Sequence, residues 1–245
     1  MEQLSTLWQP LLDWMNGNDI FTPNTFAMYW TGLTNTVQLV FISLLIGLVL
    51  AVPLAIARGS RNQVLRKSIW FYTYLFRGTP LLIQLYLAYY GFAFIPGIQE
   101  TWLWFFLDDP LYPALLAFTL NTAAYTTEIF HGSIQATPRG EIEAARAYGM
   151  SKAKMMRRIV LPSALRRALP AYGNEVIFML HASAIAFVVS ITDLTGAAYY
   201  IYARFYAPFA AFLFVAVLYM VLSFSIQALF KYLEKRLLVH LKPAS

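Results

Sequence analysis

From Ile20 to Ala57 the chain carries no charged residue, a run long enough to cross a lipid bilayer. A hydrocarbon core needs roughly 20 consecutive apolar residues per helix. Within it, every backbone N–H and C=O must be satisfied inside the segment or in a closed barrel. The run therefore predicts a membrane helix over Gly32 to Ala57. The other uncharged stretches predict further spans at Thr79 to Ile98, Leu111 to Ile134, Ala168 to Ile191 and Pro208 to Phe230. The expected fold class is all-α integral membrane with five transmembrane helices. Hydrophobic residues make up 59% of the chain and charged residues 12%, against about 25% charged in ordinary soluble domains. The expected organisation is an N-terminal segment over 1–31, a membrane domain over 32–238 and a tail over 239–245.

The basic residues set the orientation. Arg58, Arg61, Arg66 and Lys67 follow the first span, eight Lys and Arg from Arg139 to Arg167 follow the third, and Lys231, Lys235, Arg236 and Lys242 follow the fifth. With five spans these groups share one side, which the positive-inside rule makes the cytoplasm. The amino end is then outside and the carboxyl end inside. The net charge of +6 is accordingly read as a topology signal and not as nucleic-acid or anionic-lipid binding; membrane lipid is an expected partner and nucleic acid is not. The stretch from Gln3 to Phe21, with Trp8 and Trp14, reads either as an amphipathic helix on the outer leaflet or as a loosely ordered leader. The Met1-Glu2 start lacks a basic n-region, so no cleavable signal peptide is expected.

One charged island interrupts the apolar pattern, from Arg139 to Pro162. Thr137 before Pro138 predicts a helix start with a capping hydroxyl, Gly149 its stop, Ser151 the cap of a second helix, and Leu161-Pro162 its end. Small residues at Ala144 and Ala145 allow a close approach to a partner groove, with Glu143 offering a charge. The expectation over 137–162 is a cytoplasmic helix that docks on another protein.

The string Glu143-Ala144-Ala145, then Gly149, then Ile159, Leu161 and Pro162 resembles the EAA loop of binding-protein-dependent ABC import permeases at each specified position. Arg77-Gly78-Thr79-Pro80-Leu81-Leu82-Ile83-Gln84 and Ala123 to Phe130 resemble the polar amino acid permeases. Thr119 to Gly132 and Leu161 to Tyr172 are similar to the M-type subunit of histidine/lysine/arginine/ornithine and opine importers. That resemblance implies an ABC type I importer permease with a paralogous Q-type permease subunit, two copies of a cytosolic ABC ATPase and a periplasmic amino-acid-binding protein. It also implies an inner-membrane location.

The residues agree with a permease that is not its own motor. No Gly is followed by Lys anywhere, so the phosphate-cradling G-x-x-x-x-G-K-[ST] loop is absent. No cofactor is expected in this chain; ATP and Mg belong with the partner ATPase. The chain has no Cys, its three His (131, 181 and 240) lack ligand spacing, and no G-x-S-x-G occurs, so neither a metal site nor an enzyme is expected. An ion-gradient-driven secondary amino acid transporter is the alternative, although such folds usually show inverted repeats and broken helices.

Ionisable groups inside spans are costly and by default functional. Glu175 is the candidate to compensate a cationic substrate. His181 is a second candidate or a hydrogen-bonded interior residue. Glu128 either joins the pathway or pairs with Arg77 or Arg139. Asn121 and Tyr125, one turn apart, either line the same cavity or hold helices together. Asp193 reads as a helix-end charge, and the cluster Tyr199, Tyr200, Tyr202, Arg204 and Tyr206 as an interfacial belt or a docking patch for a binding protein.

Overall fold

The computed structural model of the protein describes residues 20–238. The expected tail and nearly all of the segment from Gln3 to Phe21 lie outside them. Every regular element among the described residues is helical. The first helix, α1 (Pro23–Arg58), starts earlier than the sequence suggested, inside the expected N-terminal segment. Its start is a reciprocal cap: the Thr22 hydroxyl accepts from the Thr25 N–H, and the Thr25 hydroxyl accepts from the Thr22 N–H, with Pro23 opening the helix.

The basic connection after α1 forms an element of its own. It is an amphipathic helix, α2 (Gln63–Gly78), whose N-terminal amides are capped by Asn62. The adjacent bases Arg66 and Lys67 mask the helical period of Ile69 and Thr73, which are the buried positions. After an extended Thr79-Pro80 the chain re-enters helix as α3 (Leu81–Gly91), so the predicted second span is a broken helix beginning with α2. Proline at position 80 forces this, because the residue before a proline is driven out of the helical region. Thr79 indeed has φ −117 and ψ 144.

Helix α4 (Leu111–Gln135) is the central element and packs along α1. Its buried face is small and polar, with Ala117, Thr122, Ala123, Ala124, Thr126 and Thr127 nearly or wholly excluded from solvent. Such faces let membrane helices approach closely. Gly47 on α1 shows how closely: a Cβ there would stand 2.5 Å from the Thr122 methyl. The island supplies α5 (Arg139–Ala147), after which Lys152–Val189 forms one long helix, α6. Leu161-Pro162 therefore does not end a helix, contrary to expectation. The turn just before it is a π-helix, Met156–Val160, and this wider ladder accommodates the missing proline N–H.

The segment carrying most of the Tyr199 to Tyr206 cluster is helix α7 (Leu194–Phe205), and α8 (Pro208–Leu237) closes the bundle. Asp193 is indeed a helix-end residue, but a fully buried one: its Oδ1 accepts from the Gly196 N–H at 2.8 Å and caps α7. Helix α1 clamps the same corner, with the Asn35 amide donating to the Thr192 carbonyl and Thr36 accepting from the Leu194 N–H. Among the described residues, α1, α6 and α8 are each long and apolar enough to cross a membrane alone. The 25-residue α4 has the length to do so, and its polar groups are sheltered by its neighbours.

Candidate functional site

The break between α2 and α3 is held open by two amides. Gln84, the first polar residue of α3, turns back and donates to the Phe76 carbonyl at 2.8 Å and to the Thr79 carbonyl and hydroxyl at 3.1 and 2.8 Å. Asn121 on α4 donates to the Gln84 carbonyl oxygen at 3.0 Å and to Phe76 at 3.3 Å. Together they satisfy backbone carbonyls that a broken membrane helix would leave bare. Gln84 was named in the sequence only as part of a motif. A lone glutamine in the apolar run Leu81 to Tyr86 was the signal that could have found it.

Beside the break lies a cavity of 510 Å³ bordered by Arg77 to Leu81, Asn121, Tyr125, Glu175, Phe178, Met179 and Ala182. Its size suits a small solute. Three expected site residues thus meet: Asn121 and Tyr125 from α4 and Glu175 from α6. Glu175 is 5% exposed and its Oε1 accepts from the Thr122 hydroxyl at 3.0 Å. Arg77 adds a cation that sequence reasoning left out of the site. Its guanidinium lies 5.2 Å from the Tyr125 ring centroid, and the Tyr125 hydroxyl donates to its backbone carbonyl. The cavity therefore presents one carboxylate and one guanidinium, the charge pattern complementary to a zwitterion.

Two expected residues stand elsewhere. His181 is six positions beyond Glu175, a rotation of about 240° on a helix of 3.6 residues per turn, so it leaves the cavity face that Phe178, Met179 and Ala182 share with Glu175. Its Nε2 instead meets the Ser223 hydroxyl on α8 at 2.9 Å. Glu128 lies about 10 Å along α4 from Asn121. It pairs neither with Arg77 nor with Arg139 but with Arg58, at 3.1 Å, and accepts from Thr73 at 2.7 Å. This cluster ties the end of α1 to α2 and α4. Glu128→Gln should lower stability by about 1 kcal/mol, as a partly exposed ion pair does, without altering solute selectivity; thermal unfolding and competition uptake measure the two.

The island forms a separate feature. Helix α5 stops at Gly149, whose φ of +70 suits glycine. The Met150 N–H reaches the Ala145 carbonyl and the Gly149 N–H the Arg146 carbonyl, at 3.1 and 2.9 Å, a Schellman closure. Ser151 caps the next turn, as expected, by accepting from Lys154 N–H. Thr137 does not cap α5; its hydroxyl accepts from Arg167 at 2.8 Å. The small pair divides its work. Glu143 and Ala144 face outward, whereas Ala145 is 2% exposed and packs in a small core with Ile142, Met155, Ile159 and Val160. Leu161 and Pro162 continue α6 beyond it.

Residues 43–239 match the family of binding-protein-dependent transport system inner membrane components. The chain belongs to that family. Over its whole length it is 48% identical to the histidine/lysine/arginine/ornithine transport system permease protein HisM of Escherichia coli K12, covering 99% of that protein. It is 42% identical to the nopaline transport system permease protein NocM of Agrobacterium fabrum, over 89% of this chain and 91% of that one. A crystal structure of an amino acid ABC transporter with histidines superposes with a TM-score of 0.75 at 33% identity, covering 86% of this chain and 95% of that chain. The resemblance carried by the Glu143 to Pro162 string is thereby borne out at the level of the family, and the secondary-transporter alternative is not favoured. The broken helix that the alternative would have required is nevertheless present, built by Pro80.

Proposed function

We propose that this permease forms half of the translocation path of an ATP-driven importer for polar, chiefly basic, amino acids. The observation that carries the reading is the cavity at the α2/α3 break, where Glu175 and Arg77 face one solute-sized space. Glu175 meets a cationic group of the amino acid, and Arg77, free to fork onto a carboxylate, meets the other end. Names of the relatives, histidine/lysine/arginine/ornithine and nopaline permeases, support a cationic side chain. The second permease is a Q-type paralogue. Five passes, with the amino end periplasmic and the carboxyl end cytoplasmic, place α5 on the side of two ATPase copies, which bind ATP and Mg, while a periplasmic binding protein delivers the solute. Glu143 and Ala144 are the outward contacts to the ATPase, and Gly149, Ala145, Ile159, Leu161 and Pro162 shape and seat the helix that carries them.

The test is ATP-dependent uptake by the complete transporter in proteoliposomes, with arginine, lysine and histidine competed against neutral amino acids. Uptake driven by an ion gradient without the ATPase would overturn the reading. The break itself makes a further prediction. Gln84→Leu strips the side-chain donor from the part-buried Thr79 carbonyl and leaves Phe76 only the longer Asn121 bond, and should destabilise the permease by about 1–3 kcal/mol, read as a lowered Tm of the purified complex, with weakened solute binding.

A further inference from the structure

At the end of the bundle that carries α5, α6 and α8 diverge around a cavity of 780 Å³ separate from the one at the helix break. Three cations line it, Arg167, Lys231 and Lys235, against one carboxylate, Glu234. Among the described residues the only ion pair is Arg58–Glu128, so none of these cations is neutralised by a salt bridge. Arg167 is half-buried and its hydrogen bonds all go to neutral oxygens: Ser163 Oγ, Thr137 Oγ1 and the Ser133 carbonyl. Its Nε is buried without a partner. Like charges gathered in this way repel, and an anion entering the cavity relieves that repulsion beyond what Glu234 and solvent screening supply.

The position of the cavity says which anion. Helix α8 exposes Val221, Phe224 and Leu229 and then turns basic at Lys231, with Tyr232 exposed beside it. That succession from apolar side chains to tyrosine and lysine marks the boundary between acyl chains and headgroups. Leu238 supplies an apolar wall to the same cavity. We propose that this cavity binds the phosphate headgroup of an anionic phospholipid, held by Arg167, Lys231 and Lys235, with its acyl chains along α8. Basic pockets between membrane helices recognise such headgroups. Because Arg167 also holds Ser133 and Thr137, where α4 passes into α5, the bound lipid braces the root of the helix proposed to dock on the ATPase.

The site is independent of which solute is carried and is tested without a transport assay. The purified complex is delipidated, exchanged into phosphatidylglycerol or phosphatidylcholine, and its retained lipid read by native mass spectrometry. Lys231→Ala/Lys235→Ala is the variant, since both side chains are exposed and Arg167 keeps its structural bonds. The wild type should retain phosphatidylglycerol over phosphatidylcholine, and the double variant should bind it roughly thirtyfold more weakly, at the strength expected for each basic residue near an anionic surface. Equal retention by variant and wild type overturns the site. Retention of neither phospholipid by a wild type that still binds millimolar inorganic phosphate overturns the lipid as the source and leaves a free anion in its place.

Discussion

Glu175→Gln should lower uptake of arginine and lysine by roughly tenfold to a hundredfold, the scale of a lost hydrogen bond to a charged group. Glutamine keeps nearly the same volume and can still accept from the Thr122 hydroxyl that now meets Glu175 at 3.0 Å, so packing against α4 survives. What disappears is the negative charge in a cavity whose other ionised wall is Arg77. A cationic amino acid then passes Arg77 without a compensating carboxylate, and transport falls more for arginine and lysine than for a neutral amino acid. Competition uptake in proteoliposomes distinguishes these outcomes. Equal uptake of all solutes by variant and wild type would falsify the assignment of Glu175 to the path.

Ala145→Phe should uncouple the transporter while leaving it in the membrane. Ala145 is 2% exposed, and its neighbours Met155, Val160 and Ile159 leave no room for a ring. Overpacking such a site costs about 1–3 kcal/mol, and here the strain is relieved by lifting α5 off α6. Glu143 and Ala144 then lose their presented geometry. The expected result is normal abundance in membrane fractions, substrate-stimulated ATP hydrolysis depressed by about tenfold or more, and little uptake. Retained stimulation by a well-inserted variant would remove Ala145 from the coupling element. Gly149→Asp is the milder change. A Cβ at Gly149 meets open space, so the penalty is confined to the left-handed backbone, about 1 kcal/mol. Loss of uptake in that variant would then report chiefly on the partner surface beside the turn.

The candidate site was partly legible in the sequence. A carboxylate at 175 within an uncharged span has few uses, and Asn121 and Tyr125, spaced four apart, had to share a face. His181 reads in the sequence either as a site candidate or as a hydrogen-bonded interior residue, and the six residues from Glu175 turn it towards Ser223 and α8, the second arrangement. For Glu128 the sequence offers the pathway, Arg77 or Arg139, and the partner comes instead from α1, which no local pattern indicates. The sequence offers Arg77 only as a partner for Glu128, whereas the kink after α2 carries it beside Tyr125.

The sequence alone determined that the chain crosses a membrane, through uncharged runs whose backbone can only be satisfied as helix, and that its Glu143 to Pro162 island belongs to an import permease. Local chemistry also placed Gly149 at a left-handed stop and Ser151 at a helix cap. Tertiary structure decided the rest. It made α2 a helix rather than a loop, joined the end of the island to α6 through a π-turn, turned Ala145 inward and Ala144 outward, and brought Gln84, Asn121, Arg77 and Glu175 around one break. Helix formation within a segment follows from residues three and four apart, which a sequence displays. Which face meets which neighbour follows from packing between segments far apart in the chain, and that is fixed only when the whole bundle closes.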